Sequence, residues 1–246
     1  MSFTYRSDDD DESIVEEQGP EFAERPAPPY YTYILVAAIV VVAFVQFATG
    51  LERSIDAAGF DKRAFLRGHQ YWLILTGAAT HGSVPHILMN GYAFYSFGRI
   101  FELLSNKAHL AIVFLLSAVG GGILSVIFMP DGLSVGASGG IVGLIGYLAV
   151  YAFRRRQFIT PEFRKNLLIN IGFILVFGLV LYQTIDNFGH IGGLITGALY
   201  ALIQVPSDAH TDPRQAGTVV EFAGIAALGV YIARCCFAIL LILHIV

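Results

Sequence analysis

Residues 133–153 read LSVGASGGIVGLIGYLAVYAF, 21 positions without a charge. About 20 such residues in a helix are enough to cross a bilayer. The stretch is preceded by Pro130-Asp131-Gly132, a turn tripeptide, so its helix should begin near Ser138. It is followed by Arg154-Arg155-Arg156, a cluster that marks the cytoplasmic end of a span. Ser138 lies in Gly136-Ala137-Ser138-Gly139, where small neighbours leave its hydroxyl sterically open, as a nucleophile requires. Taken alone, Ser138 is either a nucleophile or a serine packed inside a helix.

The rest of the chain has the same apolar character. Of 246 residues, 55% are hydrophobic and 14% charged, against about 25% charged in ordinary soluble domains. Mean hydropathy is +0.64. This excludes a soluble globule and points to a multi-pass membrane protein. Further uncharged stretches predict spans at Tyr30–Thr49, from about Val84 to Leu104, and at Ala108–Met129, Leu167–Ile185, His190–Val205 and Val219 to about Ile245. The fold expected is an all-α polytopic membrane helix bundle of seven spans.

Residues 1–29 form an acidic arm with nine carboxylates against two bases, too poor in apolar residues to bury a core. It reads as a disordered tail, either solvated or partner-binding. The domain plan is this arm, a six-span core at 30–205, a linker at 206–218 and a seventh span at 219–246. With the N-terminus in the cytoplasm, inner segments hold ten Lys/Arg and outer segments four (Arg53, Lys62, Arg63, Arg67). The C-terminus is then outside. Residues 51–83 form one long outer loop, mixing charges with the apolar stretch Tyr71–Ala79, as expected of a structure half sunk in the outer leaflet. Cys235 and Cys236 are adjacent in an apolar run and read as helix packing.

Polar side chains inside spans are costly, which makes each a functional candidate. They are His86, Asn90, Ser138, His190 and Arg234. Gly189, Gly193 and Gly197 recur every four residues around His190, a face that lets helices approach closely. Gly136, Gly139, Gly140 and Gly143 give the serine span a similar face. Ser138 and His190 each stand fifteen residues from the inner end of their span, so equal depth makes a nucleophile–base pair plausible. His86 and Asn90, four residues apart, share a helix face and suit either an oxyanion hole or an interhelical hydrogen bond. His81, His86 and His190 could be read as metal ligands, but no HExxH or matching carboxylate spacing supports this. Asp186 is either an acid orienting His190 or a helix cap. Arg234 either snorkels to headgroups or pairs with a core acid.

Together these residues resemble the rhomboid family of intramembrane serine proteases. The carriers are Gly136-Ala137-Ser138-Gly139, His190 with Gly193 and Gly197, His86-Ile87-Leu88-Met89-Asn90 preceded by His81, and Gly98-Arg99-Ile100-Phe101-Glu102. The resemblance implies a six-helix core plus one C-terminal span. It implies cleavage of transmembrane segments of other membrane proteins, in the lipid bilayer, by a Ser138–His190 dyad without an acid. His86, Asn90 and the Ser138 backbone N–H would form the oxyanion hole. His81, Trp72, Gly136, Gly139, Gly193, Gly197 and Glu102 would be structural supports, with Glu102 holding the inner loop. The fifth span and the loop over the site would admit substrate. No cofactor, metal or nucleic acid is called for.

Three positions depart from the family pattern: Leu73 stands after Trp72 where Arg is frequent, Val142 where a Tyr often stacks on the histidine, and Val135 where a glycine is common. Two rival classes are a catalytically silent helix-binding relative and a small transporter. The transporter reading lacks the internal repeat usual in that class.

Overall fold

The computed structural model describes residues 27–245 except Tyr182 and Ala209. Expectations for the acidic arm at residues 1–26 lie outside these. Helix α1 (Tyr30–Thr49) follows Pro28-Pro29 and stops at Gly50, whose φ of +107° suits glycine. The long loop at 51–83 then folds as α2 (Leu51–Ala58), the two-residue strand β1 (Phe60–Asp61), α3 (Lys62–Arg67) and α4 (Leu73–Thr76). Next come α5 (Val84–Leu104), α6 (Lys107–Phe128), strand β2 (Leu133–Ser134), α7 (Ser138–Arg154), α8 (Pro161–Val180), α9 (Asn187–Gln204) and α10 (Thr218–Ile242). Strands β1 and β2 pair antiparallel, Phe60 opposite Ser134 and Asp61 opposite Leu133.

Four helices are long and apolar enough to cross a membrane: α1, α6, α8 and α10. The others of similar length, α5, α7 and α9, are where His, Asn, Ser and repeated Gly dilute the apolar character. Of the polar candidates, His86, Asn90, Ser138 and His190 sit on these three helices of an all-α bundle, while Arg234 lies on α10. Helix α7 is the most enclosed, buried at eleven of its 17 residues. It packs against α5, α6, α8 and α9, while α10 covers α6 and α1 on the far side. The core includes Phe94 against Phe114 with ring centroids 4.6 Å apart, Tyr231 against Phe114 at 4.9 Å and Phe101 against Tyr147 at 4.3 Å.

Two span boundaries differ from the sequence expectation. The fifth helix runs from Pro161 to Val180 rather than 167–185, because Thr160 accepts the Phe163 N–H and Pro161 opens the first turn. Charged Glu162, Arg164 and Lys165 hid that turn from an apolar count. The sixth begins at Asn187, not His190, because the Asp186 carboxylate caps it. The segment at 133–134 is strand, and α7 starts at Ser138 as expected. Helix α8 has only Leu167 and Gly178 buried, the loosest attachment among the long helices.

Candidate active site

The close approach of α7 and α9 is built on glycine. A β-carbon at Gly193 would overlap the carbonyl oxygen of Gly139, and one at Gly197 would overlap that of Gly143. Gly139 also faces the Gly189 carbonyl oxygen, at 3.4 Å from where its β-carbon would lie. The immediate neighbours of Ser138 and His190 thus face each other across the helix pair. Ser138 and His190 line one cavity of about 50 Å³, together with Gly77, Ala78, Ser134, Val135, Gly136 and Asp186 among others. Both residues are partly exposed to it. They make no direct hydrogen bond, and the Nδ1 of His190 has no partner among the described residues. Nucleophile–base bonds are often long before substrate binds.

The donors next to Ser138 are ordered by Gly136. Its φ is +118°, and a β-carbon there would stand 2.8 Å from both Cε1 and Nε2 of His86 and 3.3 Å from Nδ2 of Asn90. Glycine is required twice over, by backbone sign and by space. Gly82 donates its N–H to Nδ1 of His86 at 3.4 Å, which leaves Nε2 as the protonated nitrogen, on the Gly136 side. The Asn90 side chain is buried, and its Nδ2 has no partner among the described residues. Ser138 opens α7, so its N–H lies in the first turn, where no intrahelical acceptor exists. Two side-chain donors therefore stand against Gly136, two residues before the serine.

The wall of the cavity is fastened from several sides. Gly136 donates its N–H to the Gly77 carbonyl at 2.9 Å. Gln46 on α1 accepts the His81 N–H at 2.9 Å and donates to the His81 carbonyl at 3.4 Å. Tyr231 on α10 donates to the Ala78 carbonyl at 3.1 Å. His81 is fully buried, its ring edge-on to His86 at 5.2 Å. Trp72 packs edge-on to Phe237 at 5.9 Å. Among the described residues no group of three or more His, Cys, Asp or Glu converges.

A family model for the Rhomboid domain matches residues 68–207, more than half of the chain. The chain belongs to the rhomboid family. It is 30% identical over 172 residues to the Rhomboid protease GluP of Bacillus subtilis, covering 69% of this chain and 34% of that protein. It is 32% identical to RHOMBOID-like protein 6, mitochondrial, of Arabidopsis thaliana, over 56% of this chain and 45% of the relative. It is also 32% identical to Inactive rhomboid protein 1 of Bos taurus, over 56% of this chain and 16% of the relative. The chain thus spans less than half the length of these curated relatives. Rhomboid-family relatives include proteins named as a protease and as inactive.

Within this rhomboid frame the other sequence candidates find their places. Glu102 accepts both the backbone N–H of Thr32, at 2.7 Å, and its hydroxyl, at 2.6 Å. It therefore ties α5 to the first turn of α1. Leu73 and Val142 are buried apolar side chains, and no aromatic ring contacts His190 among the described residues. Asp186 is a cap, accepting the Gly189 N–H at 2.8 Å. Arg234 is partly buried and has no acid within ion-pair distance among the described residues. Cys235 is buried and Cys236 exposed, both unpaired.

Sequence reasoning missed Gln46, Tyr231, Ser125, Ser134 and Lys62. Lys62 had counted only as one of four outer bases. It is completely buried, with its Nζ 3.6 Å from the Asp186 carboxylate. Burial pushes the Asp186 carboxyl up, but the Ser125 and Ser134 hydroxyls, Lys62 and the Gly189 N–H outweigh this and hold it below the usual carboxylate range.

Proposed function

We propose that this chain is an intramembrane serine endopeptidase that cleaves transmembrane segments of other membrane proteins. The observation that carries the reading is the arrangement at Gly136. Two side-chain donors, His86 Nε2 and Asn90 Nδ2, flank it, two residues before a serine that shares a cavity with His190.

In this reading the Ser138 hydroxyl attacks the scissile carbonyl carbon, and His190 takes the hydroxyl proton. Negative charge develops on the carbonyl oxygen, where His86, Asn90 and the Ser138 N–H donate to it. The intermediate collapses, the C–N bond breaks, and His190 returns the proton to the leaving amine. Water then hydrolyses the acyl-serine, with His190 again as base. A substrate helix must unwind locally to present its carbonyl, so helix-breaking residues near the scissile bond favour cleavage. The loosely attached α8 is the proposed entry side. The proposed topology puts the N-terminus in the cytoplasm and the C-terminus outside, in a cell membrane.

A catalytically silent helix-binding protein is the second reading, favoured by the relatives named inactive. The test is cleavage of a labelled model transmembrane substrate by detergent-purified protein, beside Ser138→Ala and His190→Ala. Loss in both folded variants supports the peptidase. Equal cleavage by all three removes Ser138 as nucleophile. A wild type that neither cleaves nor reacts with a fluorophosphonate probe favours the silent protein.

A further inference from the structure

The Asp186 carboxylate does more than cap α9. One oxygen accepts the Gly189 N–H at 2.8 Å. The other accepts the Ser134 hydroxyl at 2.6 Å and the Ser125 hydroxyl, and faces the Lys62 ammonium at 3.6 Å. Four segments meet at this one group. Lys62 brings the loop at 51–83 through α3, Ser125 the end of α6, Ser134 the strand β2, and Asp186 the start of α9. Lys62 is also fastened by its backbone, its N–H bonding the Gly132 carbonyl at 3.2 Å.

A fully buried ammonium is unfavourable unless a counter-charge holds it. Lys62 has 0% side-chain exposure, and among the described residues its Nζ makes no hydrogen bond beyond this ion pair. The pair stands at a sensitive place. Ser134 lies four residues before Ser138, and Asp186 four before His190, whose N–H bonds the Asp186 carbonyl at 3.1 Å. Ser134 and Asp186 line the same cavity as Ser138 and His190. Among the described residues the His190 ring has no aromatic partner, and its Nδ1 has no hydrogen bond. Its placement thus depends on the start of α9, which Asp186 fixes.

We propose that Lys62 and Asp186 are positioning residues: their ion pair locks the start of α9 to the strand leading into Ser138, and so sets the distance between His190 and Ser138. This rests on the reading of those two residues as the catalytic pair. Neither Lys62 nor Asp186 touches substrate in this account. A small shift between reacting groups lowers rate by as much as about 100-fold, so the effect falls on turnover rather than on substrate binding.

The experiment compares wild type, Lys62→Met, Asp186→Asn and the double variant, each full-length in detergent. The readouts are the rate of fluorophosphonate labelling at Ser138, kcat and KM on a labelled transmembrane substrate, and the thermal midpoint. Each single variant leaves one partner without its counter-charge; the double variant leaves neither. Expected are labelling and kcat lowered ~10–100-fold in each single variant with KM little changed, and a loss in the double variant no greater than in the worse single, since one shared lock is removed in all three. Should the single variants not fold, Ser134→Ala removes one hydroxyl from Asp186 without unpairing the charges. It is expected to slow labelling several-fold at an unchanged midpoint. Single variants or Ser134→Ala labelled as fast as wild type would overturn this inference alone. So would losses that merely follow the midpoint, or a double variant as fast as wild type. A wild type that is neither labelled nor active would overturn the catalytic pair, and this inference with it.

Discussion

Gly197 of α9 lies directly against Gly143 of α7, so close that a β-carbon on Gly197 would overlap the Gly143 carbonyl oxygen. The obstacle is backbone, which no rotamer change relieves. Gly197→Val is expected to destabilise the bundle by about 1–3 kcal/mol and to separate Ser138 from His190. A thermal midpoint in detergent equal to that of wild type would mean the helix pair tolerates spreading.

Removing the donors at Gly136 should separate catalysis from folding. Asn90→Ala takes away an amide whose Nδ2 has no partner among the described residues, so little native bonding is lost. On the peptidase reading kcat falls by about 100–1,000-fold while the midpoint holds. Gly136→Ala should be equally damaging, since its φ of +118° and the 2.8 Å approach to His86 both oppose a side chain. Steady-state cleavage with circular dichroism checks both variants.

Glu102 serves the fold at the end of α5 away from Ser138. Its Oε1 accepts two hydrogen bonds from Thr32. Glu102→Ala is expected to cost about 1.5–3 kcal/mol of stability, as for bonds to a charged acceptor. Glu102→Gln keeps an acceptor and should recover most of it. Cleavage per folded molecule should stay near wild type in the Gln variant; denaturation curves and an activity assay on the folded fraction measure the two effects separately.

Acid should loosen the N-terminal end of α9. The Asp186 carboxyl titrates lower in the folded protein than in the unfolded chain, where its pKa is about 3.9. Its stabilisation is therefore complete above that value and is lost as pH falls through the lowered folded value. Thermal midpoints measured from about pH 3 to pH 7 should drop toward acid more steeply in wild type than in Asp186→Asn. Parallel curves for the two proteins would show that Asp186 contributes nothing to the acid limb.

The parts legible in the sequence were those written as periodicity or as chemistry out of place. Tyr30–Thr49 and the helix from Val84 to Leu104 stand where apolar length put them. Gly139, Gly143, Gly193 and Gly197 announced the contact of α7 with α9 by their spacing. His86, Asn90, Ser138 and His190 stood out because lipid penalises such side chains. What stayed hidden was pairing across long sequence separations. Nothing local marks Lys62, 124 positions from Asp186, as buried, or Gln46 as the clasp of His81. Two residues per strand are too few to show alternation, so β1 and β2 left no pattern. The early start of α8 was masked because charges at a helix end look like a loop in an apolar count.

Tyr231 holds the Ala78 carbonyl from α10, and Gln46 holds His81 from α1. Both helices fall outside residues 68–207, the region that the Rhomboid family model matches. The region that the family model matches is therefore smaller than the body that these contacts tie together. A chain trimmed to 68–207 would lose Thr32, Gln46, Lys62 and Tyr231 at one stroke. It would leave the floor of the long loop, the Glu102 carboxylate and the Asp186 carboxylate each short of a partner. Anyone shortening this protein for study should keep the flanking helices as masonry, not ornament.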